Sequence, residues 1–272
     1  MFKNKAVSAP YLVWSAIFVI VPLGLVGYYA LTSKTGEFTL DNLARVGQYA
    51  PVIMSSILLS VIATVISLVI AYPLAFIMSR AGGNTQRTYM MLIMLPMWMN
   101  FLLRTYSWMT ILERNGLINR FLELFGIGPF NMINTPGAVV LGMIYNYLPF
   151  MILPLYTTML KIEQHTIEAA QDLGAPPRKV LSQVIIPLSM PGVTTGITMV
   201  FVPCISTFAI SRMLGGGSSM LIGDLIELQF LGNTYNPNLG AAISMVLMVI
   251  ILICMAMMNM FDEGEDKEAM LL

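Results

Sequence analysis

Charge is scarce in this sequence. Asp, Glu, Lys and Arg together make up 10% of its 272 residues, against about a quarter in soluble domains. With 57% of residues hydrophobic, an ordinary soluble domain is excluded, and lipid must solvate much of the chain. The formal net charge is zero, so no basic footprint points to nucleic acid. Cysteine occurs twice, at Cys204 and Cys254, in separate apolar runs and without CxxC spacing. Both read as small packing residues, and no disulfide or metal site is expected. No G-x-x-x-x-G-K-[ST] stretch is present, so the chain has no cradle for nucleotide phosphates. The glycine-rich stretch 215–219 lacks the lysine and reads as a flexible outer loop. Histidine occurs once, as His165, outside the apolar runs. Those runs also lack paired carboxylates, a serine with a histidine base, or facing metal ligands, which argues against an intramembrane enzyme and leaves no catalytic residue to nominate. The same want of buried acids argues against a proton-driven carrier. A channel would conduct without nucleotide, and current through the isolated chain would favour it.

What is abundant is apolar length. A hydrocarbon core of roughly 30 Å takes about 20 helical residues, and runs that long occur six times, near 10–32, 52–79, 89–112, 136–160, 188–211 and 239–261. They do not alternate with period two, so they predict helices and not barrel strands. The first follows Lys3 and Lys5 but is too long for a signal core, and it reads as an uncleaved helix. Segments on one side hold Lys3, Lys5, Arg80, Arg87, Lys161, Arg178, Lys179 and Lys267, whereas the other side holds Lys34, Arg45, Arg114 and Arg120. The positive-inside rule then places both termini in the cytoplasm. Residues 1–272 read as a single all-α integral membrane domain with six transmembrane helices.

Prolines recur inside the runs, at Pro22, Pro73, Pro96, Pro149, Pro154 and Pro203. Each removes a ladder hydrogen bond and can kink its helix, which suits a bundle around a path but is common in membrane helices. Gly192 and Gly196 form a small-xxx-small pair that predicts a close helix contact. Arg104, between Trp98 and Trp108, is expected to snorkel toward the interface.

The cytoplasmic connection at about 161–187 is long and carries its own pattern. Thr166 is placed to cap a short helix over 167–173, Gly174 to end it, Pro176 to forbid continuation and Pro177 to open a second helix toward Pro187. Its residues run Glu168, Ala169, Ala170, three residues including Asp172, then Gly174, and nine residues later Val184-Ile185-Ile186-Pro187. This resembles the EAA motif of ABC importer permeases. Segments 95–108 and 221–231 are similar to the spermidine/putrescine permease family, on the side of its PotB-type subunit. The resemblance implies a type I ABC importer permease bundle in the cytoplasmic (inner) membrane. It further implies that the loop is a coupling helix moved by a separate ATPase, with Glu168, Ala169, Ala170, Asp172, Gly174 and Pro187 as the coupling residues.

Also implied are a second homologous permease, two ATPase subunits that bind the ATP and Mg, an extracytoplasmic solute-binding protein, and transport by alternating access. The chain itself would need no cofactor. A polyamine path needs carboxylates or aromatic faces around each ammonium. Trp98, Tyr145 and Tyr147 are the aromatic candidates. Asp224 and Glu227, in a stretch (213–238) without Lys or Arg, are the acidic ones. Sulfate, ferric ion or a sugar are the alternative solutes.

Overall fold

The computed structural model describes residues 9–217, 219–232 and 235–269. Lys3 and Lys5, used above for orientation, lie outside them. Among the described residues the chain is helical apart from turns and one bridge between Thr32 and Phe38. Five helices are long and apolar enough to cross a membrane: Val13–Ala30, Asp41–Arg80, Pro136–Met159, Pro177–Ser206 and Pro237–Met258.

The third expected span is not one helix. It is Gly83–Met94, a 3-10 turn over Leu95–Trp98, extended backbone at Met99, and a new helix Phe101–Leu112. Pro96 cannot donate to the ladder and its ring crowds the carbonyl of Leu92. Four residues on, the Asn100 carboxamide oxygen accepts from the Leu102 and Leu103 N–H groups at 2.8 and 3.3 Å and starts the second half. Each half has 12 residues, a rise of about 18 Å, so neither crosses alone. The fifth span also departs from expectation. It begins earlier, at Pro177, and ends at Ser206 instead of running to 211. Pro203 leaves the Met199 carbonyl without a ladder donor, and the Thr207 N–H turns back to Cys204 at 3.4 Å. Thr207 is extended, and a separate short helix, Ala209–Gly215, follows.

The second span (Ala50–Arg80), the fourth (Pro136–Met159) and the fifth pack into the core. The second span is arranged small side in and large side out. Ser56, Ser60, Ala63, Thr64, Ser67, Ala71 and Ala75 are buried, while Leu58, Val61, Val65, Val69 and Ile77 are exposed. Lipid is as apolar as leucine, so burying a large side chain gains little, whereas a small face lets backbones approach and gain dispersion contacts. The buried hydroxyls are satisfied locally where they can be: Ser56 donates to Val52 O at 2.8 Å and Thr64 to Ser60 O at 2.7 Å. Tyr72 and Ser189 join the second and fifth spans through hydroxyls 2.8 Å apart.

Gly192 and Gly196 make the close contact that their spacing predicts. A Cβ on Gly192 would sit 2.8 Å from Thr158 Oγ1 and 2.9 Å from the Pro154 carbonyl, and one on Gly196 would sit 2.7 Å from Met151 Sδ. The first helix is held differently. Among its described residues only Ala30, at its C-terminal end, is buried, and there two buried amides gather its last carbonyls. Asn42 Nδ2 donates to Ala30 and Thr32 at 3.3 and 2.9 Å, and Asn238 Nδ2 to Tyr29 and Thr32 at 3.1 and 2.7 Å.

Candidate functional site

The loop after the fourth span folds into a helix, Gln164–Asp172, which starts three residues earlier than a Thr166 cap allows. Glu163 occupies the N-cap position, with extended backbone. The reason is apolar. Ile162, just outside the helix, and Ile167, one turn inside, are 6% and 7% exposed and belong to the main core cluster. Such a hydrophobic pair fixes where the chain enters a helix. Arg80, at the end of the second span, donates from Nη1 to the Ile162 carbonyl at 3.0 Å, which ties the same turn to the bundle.

At the far end the helix closes as a Schellman motif. The Gly174 N–H bonds the Gln171 carbonyl at 2.8 Å and the Ala175 N–H bonds the Ala170 carbonyl at 3.1 Å, with Gly174 at φ +80°. Both orphan carbonyls are thereby satisfied. A side chain at +80° would be strained, so glycine is the residue this turn requires. Past it, Pro177 starts the helical course of the fifth span. Pro187 acts on that course: its ring crowds the Gln183 carbonyl, and the backbone over Leu181–Ile185 widens into a π turn.

The result is a helix with two faces. Ile167, Ala170 and Ala175 pack inward, whereas Glu168, Ala169, Asp172 and Leu173 point outward. Leu173, which the sequence reading passed over, is 90% exposed beside Gly174. Glu168 lies in mid-helix and not at its positive end. Its carboxylate accepts from the Gln164 amide at 3.2 Å and faces His165 Nδ1 at 3.5 Å. No atom lies within 4 Å of where a Gly174 Cβ would stand. The helix thus presents an exposed apolar tip from a short segment anchored to the bundle.

At the opposite end, the helix Ile222–Leu231 carries Asp224 and Glu227. Asp224 Oδ2 accepts the Leu221 N–H at 2.9 Å, so it caps its own helix, and the Ile222 N–H is taken by Ser56 Oγ at 2.8 Å. Burial pushes the Asp224 carboxyl above the ordinary carboxylate range, opposed by hydrogen bonds from Ser211 and Leu221. Glu227 is held in a fork by Arg212, Nη1 to Oε1 at 2.8 Å and Nη2 to Oε2 at 2.6 Å. Arg212 lies one residue before the stretch counted as free of cations, and the sequence gives no sign that it folds back across 15 positions.

The aromatic candidates are spread out. Trp98 is 78% exposed at the end of the 3-10 turn. Tyr145 meets Trp108 edge-on at 5.4 Å, and Tyr147 is tilted against Phe150 at 6.5 Å. The Tyr147 hydroxyl reaches the Thr207 side chain, at the break that ends the fifth span, and feels the charge of Arg104. Arg104 does not snorkel; it is 8% exposed.

Residues 6–265 match the family described as the binding-protein-dependent transport system inner membrane component. This chain belongs to that family. It is similar to the spermidine/putrescine transport system permease protein PotB of Salmonella typhimurium strain SL1344, at 36% identity over 247 residues, covering 87% of this chain and 86% of that one. In fold it is similar to a chain of a bacterial ABC transporter that imports the acidic polysaccharide alginate, with a TM-score of 0.81 at 15% identity, covering 95% and 94% of the two chains. The alginate transporter in complex with its alginate pentasaccharide-bound periplasmic protein gives a TM-score of 0.78, also at 15% identity, over 93% and 91%. The chain is therefore a multi-pass inner-membrane permease of the ABC importer class with the type I bundle, and the exposed Glu168–Gly174 tip is where the family motif falls.

Proposed function

We propose that this permease imports a polyamine, spermidine or putrescine, by alternating access. It works with a second homologous permease, two ATPase subunits that bind ATP and Mg, and an extracytoplasmic solute-binding protein. The observation that carries the coupling role is the exposed Leu173-Gly174 tip, clamped to the bundle through Ile162, Ile167 and Arg80. A push on this tip is passed to the second, fourth and fifth spans together, because the helix has no slack at either end. Glu168, Ala169, Ala170, Asp172 and Gly174 make up the coupling surface and its support, and Pro187 shapes the span that follows. Similarity to PotB supports the polyamine. The two halves of the third segment complete the sixth crossing, and both termini face the cytoplasm.

The solute path uses Trp98, Tyr145 and Tyr147 as aromatic faces, each contributing about 0.5 to 2 kcal/mol to an ammonium. Asp224 and Glu227 act at the outer mouth, with the Arg212 pair leaving Asp224 as the less engaged charge. The complete complex in proteoliposomes, supplied with ATP, is expected to accumulate labelled spermidine or putrescine. Asp224→Asn combined with Glu227→Gln is expected to slow it. Accumulation of sulfate, ferric ion or a sugar with no polyamine uptake would end the substrate assignment and leave the permease assignment standing.

Orientation has its own test. His165, with a side chain 91% exposed, is expected to label as cysteine only from the cytoplasmic side, and Leu124, 80% exposed, only from outside. Labelling of both by an impermeant reagent added to intact cells would overturn the orientation. Gly216 is unsuited to such a probe, since it sits at φ +53° and a Cβ there would run into Asn134.

A further inference from the structure

The short helix Leu117–Glu123, in the loop between the third and fourth segments, has three faces. Ile118, Asn119 and Leu122 turn toward the protein, and Asn119 is fully buried. Leu117, Phe121 and Leu124, spaced four and three apart along one side, are 69%, 60% and 80% exposed. The Phe125 ring meets Phe121 edge-on at 5.2 Å and widens this apolar side. Arg120 and Glu123, also exposed, occupy the remaining side. The loop is firmly built: Asn119 Nδ2 donates to the Glu113 and Phe130 carbonyls at 3.1 and 2.9 Å, and its Oδ1 accepts the Phe130 N–H at 2.9 Å. The apolar side is therefore held outward by structure and not by chance.

Its height in the membrane follows from its neighbours. Trp108 meets Tyr145 at 5.4 Å, and Asn146 Nδ2 donates to Thr105 Oγ1 at 3.4 Å. The half-helix Phe101–Leu112 thus runs beside the fourth span, and Leu112 stands about one turn short of the level of Pro136. The fourth span has 24 residues, a rise of about 36 Å, which overshoots a hydrocarbon core of roughly 30 Å by about 3 Å at each end. Leu112 therefore ends at the edge of the apolar slab. From there the chain turns straight back. The Gly116 N–H bonds the Glu113 carbonyl at 2.8 Å, and a Cβ on Gly116 would stand 2.6 Å from the Thr110 carbonyl. The helix begins at the boundary between lipid and water.

We infer that this helix lies in the lipid interface, with its Leu117, Phe121 and Leu124 side sunk among the acyl chains and its Arg120 and Glu123 side in the hydrated headgroups. A helix lying along such a boundary needs its exposed surface divided in this way. A solute-binding protein that docks and departs would leave the apolar side in water between visits. Glu113, Arg114, Arg120 and Glu123 cancel in charge, so apolar burial and not anionic lipid supplies the attraction. The anchor steadies the second half of the third segment, which is too short to fix its own depth. The inference requires that the chain spans a bilayer and is independent of its solute; the orientation proposed above makes the leaflet the outer one.

The test places one nitroxide at a time through Phe121→Cys, Leu124→Cys, Glu123→Cys or Asn131→Cys in the full-length chain carrying Cys204→Ala and Cys254→Ala. All four labelled positions are exposed, so the label does not disturb the core. The chain is reconstituted in phosphatidylcholine vesicles, alone and as the complete complex. Power-saturation EPR then compares collisions with oxygen, which concentrates in lipid, and with a water-soluble nickel chelate. Oxygen is expected to collide more often at 121 and 124, and the chelate at 123 and 131, in both preparations. An excess of chelate collisions at all four positions would put the loop in water and overturn the inference. Shielding of 121 and 124 from both reagents in the complex alone would make the patch a contact with another subunit and overturn it equally. An oxygen excess that appears only after phosphatidylglycerol is added would assign the contact to Arg114 and Arg120 and overturn the apolar anchor. Position 124 is open from one side of the membrane only, so its one-sided labelling is expected to stand.

Discussion

Gly174→Val is expected to abolish uptake while the protein still inserts and accumulates at parental level. The turn holds Gly174 at φ +80°, and a β-branched side chain there costs roughly 1 to 3 kcal/mol, enough to open a Schellman closure made by two hydrogen bonds. The bundle does not feel the change, because no atom lies within 4 Å of the added Cβ. The damage is confined to the tip that displays Leu173. Glu168→Lys is expected to act in the same direction by a different route, losing the Gln164 and His165 contacts and reversing the charge of the outward face. The measurements are membrane abundance, solute uptake and solute-stimulated ATP hydrolysis by the complex. Normal uptake by both variants would remove the coupling role from this helix.

Gly192→Leu and Gly196→Leu are expected to fail earlier, at the folded bundle. Each forces a side chain against the fourth span at contacts of 2.7 to 2.9 Å, one of them to a backbone carbonyl that cannot yield. Overpacking of this kind costs about 1 to 3 kcal/mol, sometimes more. Where small residues set the helix separation, the whole interface between the fourth and fifth spans has to move. Gly24→Leu and Gly27→Leu are the matched controls, since nothing lies within 4 Å of either. Detergent-solubilised Tm and yield should fall sharply for the first pair and stay unchanged for the second. Equal behaviour of the two pairs would contradict the packing described for the fifth span.

Five of the expected spans and the turn at Gly174 are legible in the sequence because each rests on local chemistry. A 20-residue apolar run or a glycine ahead of two prolines carries its meaning within a few positions. The division of the third segment was legible too, in Pro96 followed by Asn100, but a length criterion alone reads through it. Other features are written across distance. Ile162 and Ile167 start the helix Gln164–Asp172 because both reach the same core, and a capping rule applied to Thr166 misses that. Ser56 receives the Ile222 N–H from 166 positions away, and Arg212 finds Glu227 by the reversal of a loop. The burial of Arg104 depends on which face its half-helix turns inward, and neighbouring tryptophans do not reveal it.

The two amides that hold the first helix have a bearing on how the protein is made. Asn42 is synthesised just after the carbonyls it binds, so that link can close while the rest of the chain is still on the ribosome. Asn238 bonds Thr32 across 206 positions and emerges only as the last span begins. Until then Asn42 is the one of the two amides available to those carbonyls. Arrival of Asn238 ties the first helix to the last span, so this joint is a latch that closes only after the last span has begun to emerge.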